Sequence, residues 1–503
     1  MSTRAEAQPK LGKRTDEFGK AKEKARVKKS FNTVAQRVAY CRDEERSEYP
    51  LTLQAHKWEM GLGIERFFLL SYCIACCWQG LHAQNQFRVV RQWAELDFVY
   101  PSEEAKQRAA RENYYVRGNS VPIDVEVHHR KGSQKSRIFV SIPRFDAGRP
   151  VTFGIVEDDG RIRGYPDYSW HDNQGYNCDG MTSVFRVAID ECDRLWIMDT
   201  GKIGEEQRCP PQILAFNLST DELIYRHKVA NTSYTTESLF ITPVVDVRKK
   251  GDSCADTFVY VADVSGFGFL VLDVANDRTW RIKHRLAYPF PSRGTFTIQN
   301  ESFELMDGVL GMALSPLRPD GERYLYFHAL ASTTENVVST SLLRNDSFIK
   351  NINAPANSMN PFPEERPNQA AAQAMDRNGI LYFGLMDPPS VWCWNSATEF
   401  STRNFHPVAI NKETLQFASG VKVVNNLKGQ QELWVLTCRF QKVMTETLNS
   451  NEVNFRINAE KIPNLLKNSP CAIPPKDQRH GYHANMITPK EESYITYRYG
   501  AYL

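Results

Sequence analysis

No apolar run in this chain is long enough to cross a bilayer. The longest, Phe67 to Trp78, is 12 residues, whereas a spanning helix needs about 20. There is also no Gly-x-Ser-x-Gly elbow, no HExxH and no phosphate-binding glycine loop. Serine-hydrolase, zincin and nucleotide chemistry therefore have no foothold, and no motif calls for a cofactor. Excess charge is missing as well. Lys and Arg number 62 against 59 Asp and Glu, a net of +3. Residues 1–59 hold 14 Lys/Arg and 9 Asp/Glu, which is +5, and Glu65 and Arg66 cancel, so the chain from residue 85 onward carries −2. Near neutrality gives neither nucleic acid nor a membrane surface anything to hold, and neither is an expected partner.

What is present is a repeat. Six segments share a β-rich core around an aromatic: IFVSIPRF (138–145), LWIMDTG (195–201), FVYVADVSG (258–266), YLYFHALAS (324–332), ILYFGLMD (380–387) and LWVLTCRF (433–440). Their central aromatics, Phe139, Trp196, Tyr260, Tyr326, Tyr382 and Trp434, are 57, 64, 66, 56 and 52 residues apart. A period of this length means one supersecondary unit used repeatedly. It is too long for a helix pair and suits four strands with loops, one blade of a β-propeller. A β-sandwich also has many short strands but does not predict six similarly spaced units. The expected fold is all-β, a six-bladed propeller over residues 85–471.

Upstream of most cores lie small, apolar stretches such as DGMTSVFRVAI, DGVLGMAL, NQAAAQAM and ASGVKVV. A crowded axis accepts small residues, so these are the expected innermost strands. Each leads into its aromatic strand through a turn with Asp, Asn or Gly where positive φ is needed. FRVVRQWAELDFVY (87–100) alternates apolar and polar residues. It is expected to close the ring by adding a strand to the last blade beside NEVNFRI (451–457), since open blades leave bare edges. SEEAKQRAARE (102–112) reads as a helix.

The ends fall outside the repeat. Residues 1–59 read as a basic disordered run or an extension upstream of a start at Met60. Residues 60–84 have the short apolar core and small residue, Ala83, of a secretory signal peptide, so the protein is expected to be secreted. Residues 472–503 read as a polar tail. Four Asn-x-Ser/Thr sequons, at Asn217, Asn231, Asn300 and Asn345, are glycan acceptors in turn-like surroundings. Cys73, Cys76 and Cys77 lie in the signal core and Cys41 in the basic run, leaving seven cysteines. That number allows up to three disulfides and one free thiol, with the pairing open. Without paired C-x-x-C spacing, no zinc or other metal site is expected.

The blade motifs NCDGMTSVFRVAIDECDRLWIMDTGKIG (177–204), CPPQILAFNL (209–218), YVADVSGFGFLVLD (260–273), GLMDPPSVWCWN (384–395) and NEVNFRI (451–457) resemble the insect yellow / major royal jelly protein family, from about residue 87 to 471. The resemblance implies a secreted six-bladed propeller. It also implies roles that range over cuticle pigmentation and melanin formation, dopachrome conversion, capture of biogenic amines in the central channel, and nutrition.

Propellers bind ligands at a mouth of the central channel. The residues expected to open the innermost strands are Asp179, Asp307, Asn368, Gln369 and Ser419, with Gln373 on the same face as Gln369. Phe185 and Phe383 are candidates for stacking on a ligand. Carboxylates and amides around a narrow channel suit a small catechol or biogenic amine. Dopachrome conversion needs a base to take a carbon-bound proton and a donor to steady the quinone oxygen. Asp179 or Asp307 is the candidate catalytic base, and Gln373 or Asn368 the donor. The alternatives are a non-enzymatic amine-binding or structural protein, and a calcium-dependent lactonase-like hydrolase with Asp179, Asp307 and Asn368 as oxygen ligands.

Overall fold

A computed structural model describes residues 87–472 except 131, 133–134, 173 and 250–253. The segments expected to be a signal peptide, a basic run with Cys41 and a polar tail beyond residue 472 lie outside the described residues.

Six sheets of four or five strands follow one another along the chain. In each, the second strand carries the aromatic that marked the repeat: Arg137–Ser141, Arg194–Asp199, Thr257–Asp263, Tyr324–Ala329, Ile380–Leu385 and Gln431–Cys438. All six aromatics are buried, between 0% and 4% exposed. The reason is partly polar. Trp196 donates to Asp190 (2.8 Å), Tyr260 to Asp246 (3.1 Å) and Tyr382 to Asp376 (3.2 Å). In blades 2, 3 and 5 a ring on the second strand thus binds an Asp at the end of the first, which satisfies a buried hydroxyl or indole N–H.

The innermost strands are Asp124–His128, Val184–Ile189, Phe240–Val247, Val309–Leu314, Ala370–Met375 and Ala418–Asn425. Each packs against its neighbours in chain order, and that of blade 6 packs against that of blade 1. The ring is therefore a six-bladed β-propeller. Close approach at the axis explains the small residues: a Cβ on Gly420 would lie 2.7 Å from Asp124 Oδ1. The turns out of these strands place Asp193 (φ 55°), Gly379 (78°) and Gly429 (71°) in the left-handed region, as expected of those residue types.

Arg88–Trp93 runs antiparallel to Phe455–Lys461, with Trp93 opposite Phe455, in the sheet of blade 6. A little further on, Phe98–Val99 pairs in parallel with Ile162–Gly164 at the outer edge of blade 1. The same short segment thus hydrogen-bonds to both the last and the first blade. Glu103–Arg111 is helical, and Ser102 caps it by accepting from the Ala105 amide.

Among the described residues three disulfides, Cys178–Cys209, Cys192–Cys254 and Cys393–Cys471, leave Cys438 free and buried. Among the described residues no helix is long and apolar enough to cross a membrane.

Candidate functional site

The innermost strands begin around a cavity of about 690 Å³. Val121, Phe185, Ile241 and Asp307 bring blades 1 to 4 to it, and Phe440 brings blade 6. Its aromatic wall is held edge to face: the Phe145 and Phe185 centroids are 5.4 Å apart, and Phe440 stacks on Phe417 at 4.6 Å.

Asp307 is the carboxylate of this wall. It sits before Gly308, where a Cβ would fall 2.6 Å from the carbonyl oxygens of Val264 and Ala287. Only glycine fits there, so the backbone tucks in and carries Asp307 to the cavity. Its main-chain carbonyl accepts from the Ala331 amide at 3.1 Å. No salt bridge or side-chain hydrogen bond to its carboxylate is present among the described residues. Burial pushes its pKa up to about 6, because a carboxylate out of water without a counter-charge favours its neutral form.

The cations around the cavity are mostly spent. Arg144 is buried and donates to the carbonyls of Arg149, Pro150, His171, Met181 and Thr182. Arg149 pairs with Asp146, and Lys442 with Glu301 at 2.9 Å. Lys202 differs. It is 4% exposed and comes from a two-strand hairpin, Lys202–Ile203 with Glu206–Gln207, inserted after the second strand of blade 2. Its ammonium donates to the Thr236 carbonyl at 2.8 Å. Glu205 and Glu446 line the cavity without a salt bridge among the described residues.

Further along the same strands, all six blades line a recess of about 200 Å³ on the axis. Here the charges hold one another. Arg186 donates to Thr242 Oγ1 (2.9 Å) and to the carbonyls of Leu310 (3.2 Å), Ala371 (3.3 Å) and Ser419 (2.6 Å). One side chain thereby ties blade 2 to blades 3, 4, 5 and 6. Lys422 lies 3.0 Å from Asp124 and 3.5 Å from Glu126, and it also donates to the Val187 carbonyl. Burial raises the Glu126 pKa to about 7, with Lys422 opposing the shift and Asp124 adding to it.

The expected site residues do not all converge. Asp307 and Phe185 line the wide mouth, whereas Gln373 lines the narrow recess. Asp179, expected at the start of an innermost strand, lies instead on an exposed turn five residues before that strand begins at Val184. Its carboxylate faces Lys228 at 3.6 Å. The neighbouring Cys178–Cys209 bridge holds that turn to the loop before Gln212–Asn217. Asn368 accepts from the Gln369 amide, and Gln369 donates to the carbonyls of Arg293 and Thr295. Neither residue lines the wide cavity or the narrow recess. Gln373 donates to Tyr326 O (3.1 Å) and Glu335 Oε1 (2.9 Å). Ser419 offers its carbonyl to Arg186, and Phe383 is fully buried against Phe405. The calcium ligand set of Asp179, Asp307 and Asn368 is therefore not assembled. Among the described residues no group of three His, Cys, Asp or Glu is placed to hold a metal. Sequon residues Asn231, Asn300 and Asn345 are exposed and Asn217 is half-buried.

Sequence reasoning passed over Lys202, Arg186 and Lys422. Arg186 had a signal, a lone charge inside VFRVAI. Lys202 had one too, directly after the aromatic strand in DTGKIG.

Comparison with known proteins shows the family. The family model described as Major royal jelly protein matches residues 182–471. Major royal jelly protein 9 of Apis mellifera is 34% identical over 78% of this chain and 91% of its own length. Dopaminechrome tautomerase of Drosophila melanogaster is 31% identical over 78% and 86%, and Protein yellow of the same species 30% identical over 82% and 75%. Among solved structures, virginiamycin B lyase from Staphylococcus aureus is similar at 11% identity and a TM-score of 0.33, over 67% of this chain and 94% of that one. The chain belongs to the yellow / major royal jelly protein family.

Proposed function

We propose that this is a secreted yellow-family protein of pigment metabolism, and that its wide mouth takes the aminochrome of a small catechol amine and isomerises it. The observation that carries the reading is Asp307: a carboxylate with no side-chain partner among the described residues, with its pKa raised to about 6, on the wall of an aromatic-lined cavity of about 690 Å³. Cavities of this size and lining suit a small aromatic ligand. A base whose pKa lies near the working pH is suited to proton transfer. The name of the Drosophila relative, Dopaminechrome tautomerase, points to the same chemistry. Three disulfides support an oxidising compartment, and exposed sequons support glycan attachment there.

Conversion of dopaminechrome to 5,6-dihydroxyindole moves two protons from ring carbons to the two quinone oxygens. It is an isomerisation and needs no oxidant. In the first transfer Asp307 takes a proton from the five-membered ring. The C–H electron pair moves into the ring system, and negative charge develops on a quinone oxygen. That oxygen is protonated at the open mouth, and Asp307 returns its proton to water before the second transfer.

The test is the decay of dopaminechrome absorbance with the purified protein and its Asp307→Asn variant. Acceleration that is lost in the variant supports the reading. A second reading, amine capture without turnover, is favoured by the unpaired carboxylates Glu205 and Glu446. Saturable dopamine binding with no acceleration of decay would select it.

A further inference from the structure

We infer that Lys202 is the electrophile of this mouth, the group that meets the quinone or catechol oxygen opposite Asp307. The inference rests on the reading that the cavity takes a catechol-type ligand. It replaces the amide donors, Asn368 and Gln373, that the sequence suggested.

Lys202 is 4% exposed and lines the cavity. An ammonium carries three N–H donors, and one of them, to Thr236 O, has an acceptor among the described residues. A buried cation with unspent donors is costly unless something else accepts them. Its carboxylate neighbour Glu237 feels its charge but is not within salt-bridge distance. At this open mouth water or a ligand can accept them, and a ligand oxygen that gains negative charge in the reaction fits them best. The other cations of the cavity are held differently: Arg144 is spent on five carbonyls, and the charges of Arg149 and Lys442 are paired with Asp146 and Glu301, whereas Lys202 has no carboxylate within salt-bridge distance among the described residues. Position matters too. Lys202 sits on a hairpin of blade 2, and Asp307 at the entry to blade 4. Base and electrophile thus reach the cavity from different blades.

The probe is 4-nitrocatechol, whose absorbance moves to longer wavelength when a phenol ionises. Titrated into the full chain, it should bind with its apparent phenol pKa lowered by about one unit, the effect of one nearby cation. Lys202→Met should bind it without that shift, and Lys202→Arg should restore most of it. A purely packing role for Lys202 would not move the ionisation of a bound chromophore. Binding with no shift, or a shift that survives in Lys202→Met, overturns the inference and leaves the catechol reading standing. No binding at all overturns both. Turnover of dopaminechrome gives a second readout: Lys202→Met should lower kcat roughly 10²-fold with KM little changed.

Discussion

The two ends of the central channel use the same kinds of residue in opposite ways. In the narrow recess, Arg186 and Lys422 face Asp124, Glu126 and a set of carbonyls, and the charges are spent on one another. At the wide mouth, among the described residues, the Asp307 carboxylate has no side-chain partner and Lys202 has one acceptor. The first arrangement holds blades together. The second is unfavourable for the protein alone and makes sense once a ligand is counted. A buried charge says little about function until its partners are counted, since paired charge at the axis is consistent with architecture.

The largest expected effect that separates the two ends is on stability. Arg186→Met removes a donor from four acceptors, of which Leu310 O keeps the Thr242 hydroxyl, and takes away one of the two cations near Asp124, leaving Lys422. We expect a loss of about 3–5 kcal/mol, read by chemical denaturation. Equal stability to the parent would mean the axial bonds are not what unites the blades.

Next comes Asp307→Asn, which should abolish catalysis by roughly 10²-fold or more while leaving the fold intact. The stability sign is opposite to that of Arg186. The folded pKa of Asp307 is raised to about 6, so the folded state binds more protons than the unfolded state between the ordinary aspartate range and pH 6. Stability therefore falls as pH rises through that window, and the cost is present in full above about 6. At pH 7.5 the Asn variant should be more stable than the parent by about 1–2 kcal/mol. At pH 3 the two should melt together. The same group sets activity, which should rise with pH around a midpoint near 6 and lose that step in the variant.

The smallest effect is at the rim. Glu205→Gln and Glu446→Gln should each weaken dopamine binding by about twofold, less at high salt, since exposed charges act through a screened field. A much larger or salt-independent loss would place those side chains in direct contact with the ligand.

The architecture was legible because it repeats. Six aromatics on six second strands, small residues at the axis, and turn residues in the left-handed region are each local rules applied again and again. The pairing of Arg88–Trp93 with Phe455–Lys461 could also be read, from alternation and the need to cover an edge. The site was only partly legible. Asp179 and Asp307 both precede glycine in DGM and DGV, and nothing in those tripeptides distinguishes them. The difference lies in the loops: a disulfide holds one at the surface, while the other packs under Val264 and Ala287. Lys202, Glu205 and Glu446 come from insertions after the second strands of blades 2 and 6. Insertions carry no period, so no pattern announces which of their side chains face a cavity. Gln373 lies on the expected strand but lines the narrow recess, and a register shift between Ala370 and Gln373 breaks the alternation that was to place it on the face of Gln369.

The most direct test of the central claim, that the wide mouth is the working end, is a crystal structure of the protein soaked with dopamine. The account expects the ring against Phe185, with the ligand's polar atoms within hydrogen-bond reach of Asp307 and Lys202 and the narrow recess free of ligand. Dopamine seated instead beside Glu126 and Lys422, with the wide mouth empty, would contradict it.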